Sequence, residues 1–139
     1  PVGTAYQDII DFAGVKGELG KVVAGGAMMG PAVENLSYPT TKTTSGLIML
    51  SAAAAEPPQV NPCIRCGRCV EYCPMGLEPV EVNQAYAARD VQELGKLHVD
   101  YCFNCGSCTF VCPAKRPCTQ MMGLAKAFYL GEIKKGGNK

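Results

Sequence analysis

Eight of the nine cysteines in this 139-residue sequence stand in a pattern that can do chemistry. Cys63, Cys66, Cys69 and Cys73, with Pro74 after them, follow the spacing C-x2-C-x2-C-x3-C-P. The same spacing returns 39 positions later at Cys102, Cys105, Cys108, Cys112 and Pro113, and Gly67 recurs as Gly106. A disulfide framework needs an oxidising compartment and does not predict such repeats. Zinc takes four ligands per site, usually as two separated pairs, which two quartets of this spacing do not resemble. The doubled run is instead the two-cluster 4Fe-4S signature, in which the fourth cysteine of each run ligates the other cluster. Tight turns with two residues between cysteines let three sulfurs wrap one cubane, and Gly67 and Gly106 let backbone approach the inorganic sulfides. The expected ligands are Cys63, Cys66, Cys69 and Cys112 for cluster one, and Cys102, Cys105, Cys108 and Cys73 for cluster two. Such crossing makes metal binding part of the folding energy.

Residues between and after the cysteines bear on potential, which charge, sulfur hydrogen bonds and exposure set. Arg65 and Arg68 lie inside the first run, where the second has Asn104 and Ser107; Lys115 and Arg116 follow the second run. Positive charge stabilises a reduced, more negative cluster, so cluster one is expected to have the higher potential; a solvated or partner-facing surface is the other reading of these four cations. Cys118 is the ninth cysteine and lies on an apolar helical stripe, so it is expected to be a buried free thiol. His98 is not expected to be a ligand. Met28, Met29, Met121 and Met122 are expected to fill core. No residue is expected to do acid–base or nucleophilic work.

The elements that must position these groups divide near Ser51–Gln59, after which every cysteine falls. Pro57-Pro58 favours an extended connector. The spacing therefore predicts residues 1–50 as one unit, 51–58 as a linker and 59–139 as a cluster-bearing unit. In the first unit Thr4 and Gln7 have the spacing of a capping box, and Tyr6, Ile9, Ile10 and Ala13 share a helical face that Gly14 ends. Lys21–Ala24 and Leu47–Leu50 read as short buried strands, giving a small α+β unit. The loop Gly25–Pro31 lacks the third glycine of a dinucleotide fingerprint and the Lys-Ser/Thr of a Walker loop, so a structural turn or docking surface is expected.

In the second unit the 28 residues between Cys73 and Cys102 are helix-patterned. Pro79 opens a helix, Val82, Tyr86 and Arg89 share a face, and Val91 and Leu94 continue it to Gly95. After the second run Pro117 opens another, with Cys118, Met121, Met122, Ala125, Phe128 and Tyr129 on one stripe, ended by Gly131 and the tail Lys134–Lys139. A linker this long and helical predicts an all-helical ferredoxin domain.

Other classes fall on charge and hydropathy. The net charge of +1 offers no field for nucleic acid, although residues 1–56 carry −2 and residues 57–139 carry +3. The longest apolar runs, Gly46–Ala55 and Val22–Pro31, are far short of the ~20 residues that span a bilayer. No secretory leader pattern is present. The chain begins at Pro1, and it is expected to be a piece of a longer protein.

The blocks Val23–Gly30 and Pro39–Gly46, followed by the doubled cysteine motif with Cys112-Pro113-Ala114-Lys115-Arg116-Pro117, resemble the C-terminal part of the C subunit of the Rnf complex. That family is an ion-translocating ferredoxin:NAD+ oxidoreductase. The resemblance implies that residues 1–50 end a soluble-ligand-binding β-grasp (SLBB) domain. It also implies that FMN and NADH bind in an absent upstream part. The implied function is a relay of single electrons between that flavin site and an iron–sulfur subunit of a membrane-bound complex, docked peripherally on the cytoplasmic face. Cys118 departs from the aliphatic residue expected there. Two rivals are a cobalamin reductase of a bacterial microcompartment, which would deliver electrons to a corrinoid, and a structural module whose clusters only hold the fold.

Overall fold

A computed structural model describes residues 1–136. The chain forms two compact units, Pro1–Pro58 and Gln59–Lys139. Together they combine helices with one small sheet, as the patterning predicted.

In the first unit α1 (Tyr6–Ala13) is followed by β1 (Leu19–Ala24), β2 (Leu47–Ser51) and the short α2 (Ala52–Ala55). β1 and β2 pair antiparallel, with Val22 opposite Met49 and Ala24 opposite Leu47, and a register shift lies between Leu19 and Lys21. The expected capping box does not form. The hydroxyl of Thr4 donates to the Pro1 carbonyl, and the Gln7 amide donates to Asp11, so Ala5 occupies the cap without a side-chain bond. Gly14 does end α1 in the left-handed conformation, its N–H bonded to the Ile10 carbonyl. Only Tyr6, Ile10 and Val22 are buried here; Ala13 is exposed and β2 is half-buried, so the strands are not the buried pair expected. The excursion between the strands closes on itself. Gly25 N–H bonds the Gly46 carbonyl at 2.8 Å, and Gly30 N–H bonds the Gly26 carbonyl at 2.8 Å. A Cβ on Gly30 would sit 2.6 Å from that carbonyl oxygen, so the glycine is required by the turn itself. Met28 and Met29 are exposed on this loop and are not core.

The second unit has no strand among its described residues. α3 (Arg68–Glu71), α4 (Pro79–Ala87), α5 (Val91–Lys96), a 3-10 turn (Val99–Tyr101), α6 (Ser107–Phe110) and α7 (Cys118–Gly136) follow in order. The first repeat's helices α3 and α4 start 39 positions before α6 and α7, so the repeat extends past its cysteines into the backbone. Gly67 and Gly106 precede α3 and α6 with φ of 78° and 90°, a conformation that glycine adopts without a side-chain clash. Arg65 and Asn104, again 39 apart, share the left-handed region at 53° and 56°.

The helix expected to run from Pro79 to Gly95 is two helices. Arg89 turns into the left-handed region at φ 57°, and the Asp90 carboxylate caps α5 by accepting from Glu93 N–H at 2.9 Å. The Arg89 guanidinium then lies over the rings of Tyr86 and Phe128, which themselves meet edge to face. Gly95 is inside α5, where a Cβ would lie 3.0 Å from the Tyr129 hydroxyl on α7. Gly131 likewise lies inside α7, which runs to Gly136; of the expected tail, residues 137–139 lie outside the described residues. Val82, Leu94, Val99, Met122 and Ala125 form the sealed centre of this unit, with Cys69, Cys108 and Cys118 in the same cluster. The stripe predicted on α7 holds: Cys118, Met122 and Ala125 are buried, and Met121, Phe128 and Tyr129 half-buried.

Candidate metal centre

The short helices α3 and α6 each start inside a cysteine run, so each carries its third cysteine on its second residue, Cys69 and Cys108. Both side chains are thereby turned into the core, while the first two cysteines of each run stay on the loop before the glycine. The fourth cysteines follow the helices and lie half-buried.

This arrangement sorts the eight sulfur-bearing residues into two groups. Cys63, Cys66, Cys69 and Cys112 line one cavity of about 290 Å³. Cys73, Cys102, Cys105 and Cys108 line a second, tight cleft of about 20 Å³. Three cysteines of one repeat thus meet the fourth of the other, in both directions. Among the described residues no three His, Cys, Asp or Glu side chains gather closely enough to hold a single metal ion. Thiolates of a four-iron cluster bind different irons and so surround a chamber; the first cavity has room for one, whereas the second is a narrow cleft between its four cysteines.

The two cavities are lined by matching positions. Arg65, Arg68, Val80, Asn83, Arg116 and Cys118 line the first. Their counterparts by the 39-residue repeat, Asn104, Ser107, Thr119, Met122, Leu77 and Pro79, line the second. Three arginines therefore line the first, and none lines the second. Arg116 was expected to follow the second motif, and the fold brings it to the first cavity. Beside the second run, the ammonium of Lys126 donates to the Cys102 carbonyl at 2.7 Å.

Several sulfurs already have hydrogen-bond partners. Arg65 N–H points to Cys63 Sγ at 3.4 Å and Leu77 N–H to Cys73 Sγ at 3.3 Å. Cys108 Sγ lies 3.4 Å from the Thr119 hydroxyl, which is itself tied to Thr109 at 2.8 Å. Burial pushes the thiols of Cys69 and Cys108 up, against the pull of their hydrogen bonds. Burial pushes Cys118 up to about 12, reinforced by the neighbouring sulfurs of Cys112, Cys108 and Cys69. Deprotonating buried thiols against this penalty takes a bound cation, so metal and proton compete for the same sulfurs.

Of the remaining candidates, Cys118 is 5% exposed and lines the first cavity. His98 is exposed and stacked on the Tyr101 ring, with centroids 5.3 Å apart, and lines neither cavity. Val80, Asn83, Thr119 and the placement of Arg116 escaped reading from the cysteine runs alone. Extending the 39-residue register into the following helices pairs each with its counterpart and is the signal that finds them.

The profile of the 4Fe-4S dicluster domain matches residues 62–115. The chain is 39% identical over 97 residues to the C subunit of the ion-translocating oxidoreductase complex of Rhodobacter capsulatus, covering 69% of this chain and 19% of that protein. It is 44% identical over 79 residues to the C subunit of the proton-translocating ferredoxin:NAD(+) oxidoreductase complex of Clostridium ljungdahlii, covering 56% and 17%. It is 36% identical over 91 residues to the C subunit of the Na(+)-translocating ferredoxin:NAD(+) oxidoreductase complex of Acetobacterium woodii, covering 65% and 20%. The matched part is thus about a fifth of the length of these relatives. Among the described residues no helix is long and apolar enough to cross a membrane. The chain is a relative of the C subunits of Rnf-type ion-translocating oxidoreductases, and its cysteine-bearing part is a 4Fe-4S dicluster domain.

Proposed function

We propose that Cys63, Cys66, Cys69 and Cys112 hold one 4Fe-4S cluster, that Cys73, Cys102, Cys105 and Cys108 hold a second, and that the chain is a two-centre electron relay. The observation that carries this reading is the three-plus-one sorting of the cysteines around two cavities. The clusters, when bound, supply reversible one-electron chemistry. The chain's own residues supply thiolates, backbone donors to sulfur and a sealed apolar core between the two quartets. Arg65, Arg68 and Arg116 place positive charge in the wall of the first cavity, which favours the added electron and gives that centre the higher potential.

The relatives' names support a wider reading. In it the chain serves as part of an oxidoreductase, taking electrons between an upstream FMN and NADH site and an iron–sulfur subunit of a membrane-bound complex. It would dock peripherally on the cytoplasmic face. The fold of unit two supports an all-helical ferredoxin. In the same reading the first unit is the end of a β-grasp domain: a two-stranded sheet with three buried side chains is marginal by itself, which suits a part of a larger domain.

Anaerobic reconstitution followed by titration with dithionite under EPR tests the relay. Two reversibly reducible centres are expected, and NADH added to this chain alone should leave both oxidised. Clusters inert to dithionite would assign them a structural role and reject the relay.

A further inference from the structure

The two cavities differ at one position where the chemistry is unusually pointed. Asn83 sits inside α4 between the buried Val82 and Ala85, and it lines the first cavity. Its side-chain oxygen is sealed from solvent and has no hydrogen-bond partner among the described residues. A buried polar group without a partner is costly, and asparagine in a helix interior has no propensity to recommend it. Its counterpart 39 positions on is Met122, which is 1% exposed, has the same place in α7 and lines the second cavity. The same wall position thus offers an amide to one cavity and a thioether, with no N–H, to the other.

An amide exchanges its oxygen and nitrogen by a half-turn of its last torsion, and the assignment follows from what it faces. Thiolate and sulfide sulfurs are acceptors, so an occupant of the first cavity turns the N–H end toward itself. We propose that Asn83 donates a side-chain hydrogen bond to the sulfurs of the first centre and helps set its potential above that of the second. This rests on the proposal that the cavities hold 4Fe-4S clusters. The donor stabilises the more negative reduced state, acting in the same direction as the arginines but from inside the wall, where solvent does not screen it.

The test is redox-titrated EPR on the full chain, reconstituted anaerobically, as wild type, Asn83→Leu and Asn83→Asp. Leucine removes the polar group at similar volume, and aspartate keeps the shape while replacing the N–H by an acceptor. With irons retained, each is expected to shift the reduction equilibrium of the higher-potential centre about tenfold toward the oxidised form, about 59 mV for one electron. The other centre should stay in place. In wild type, a nitrogen-15 label in asparagine side chains should give a coupling to that centre which Asn83→Leu removes. Unchanged potentials in whichever variant retains its irons would overturn the inference, as would equal shifts of both centres. A wild-type chain that does not take up about eight irons would overturn the two-cluster reading itself, a failure visible before any variant is titrated.

Discussion

The two cavities of the second unit were made from one pattern and are no longer alike. Their frames agree: matching glycines turn into matching short helices, and each cavity takes three cysteines from one repeat and one from the other. Their walls do not. Arg65, Arg68, Asn83, Arg116 and Cys118 face the first, where Asn104, Ser107, Met122, Leu77 and Pro79 face the second. Beside the second, Thr119 is bonded to Thr109, and these two stand where the first repeat has Val80 and Val70. Ligation fixes what a centre is, and the residues between ligands fix how readily it takes an electron. A repeat can hold the first constant while the second diverges.

The crossing of the repeats is the part of this comparison that a single substitution breaks most visibly. Cys112→Ala is expected to cost about four of the eight irons and to delete the higher-potential signal, sparing the lower. Cys73→Ala should do the reverse. If Cys112→Ala deletes the same signal as Cys102→Ala, the quartets do not cross.

A change in the shared core should leave the contrast untouched. Leu94 is fully buried between α4, α7 and the 3-10 turn region, in the core cluster common to both quartets. Leu94→Ala should lower stability by about 2–5 kcal/mol in thermal or denaturant unfolding. The gap between the two midpoints should remain, because no wall residue has changed.

Arg116→Leu gives the first cavity the residue that the second has at that position. It should lower the first centre's potential, with a shift of about threefold in the reduction equilibrium that shrinks as salt screens the guanidinium. A midpoint independent of this substitution would show that the arginines serve only the surface.

The smallest effect belongs to the ninth cysteine. Cys118→Ala should retain all the iron and change stability by about 1 kcal/mol. Its thiol, pushed up to about 12 chiefly by burial, remains protonated near pH 8 and should escape alkylation there. Loss of iron in Cys118→Ala would make it a ligand.

The frame of the site was legible because cysteine spacing and repeat phase are local. Eight positions and one offset suffice to expect two crossed quartets, and Pro79 at the first residue of α4 followed from ordinary helix chemistry. The departures came from contacts that a periodicity cannot contain. Arg89 breaks the long helix because its guanidinium reaches the rings of Tyr86 and Phe128, the latter on a helix remote in sequence. Gly95 looks like a stop and is a close approach to Tyr129. Thr4 and Gln7 have the capping spacing, yet each found a nearer partner in Pro1 and Asp11. Arg116 reads as a neighbour of the second cysteine run, but its own run contributes Cys112 to the first cavity and carries Arg116 there with it.

The most direct measurement is the metal content of the anaerobically reconstituted wild-type chain, with iron, acid-labile sulfide and zinc determined together and EPR recorded after reduction. The account predicts about eight irons and eight sulfides per chain, in two 4Fe-4S centres, with zinc at trace level. Stoichiometric zinc, or about four irons from a single centre, would contradict it.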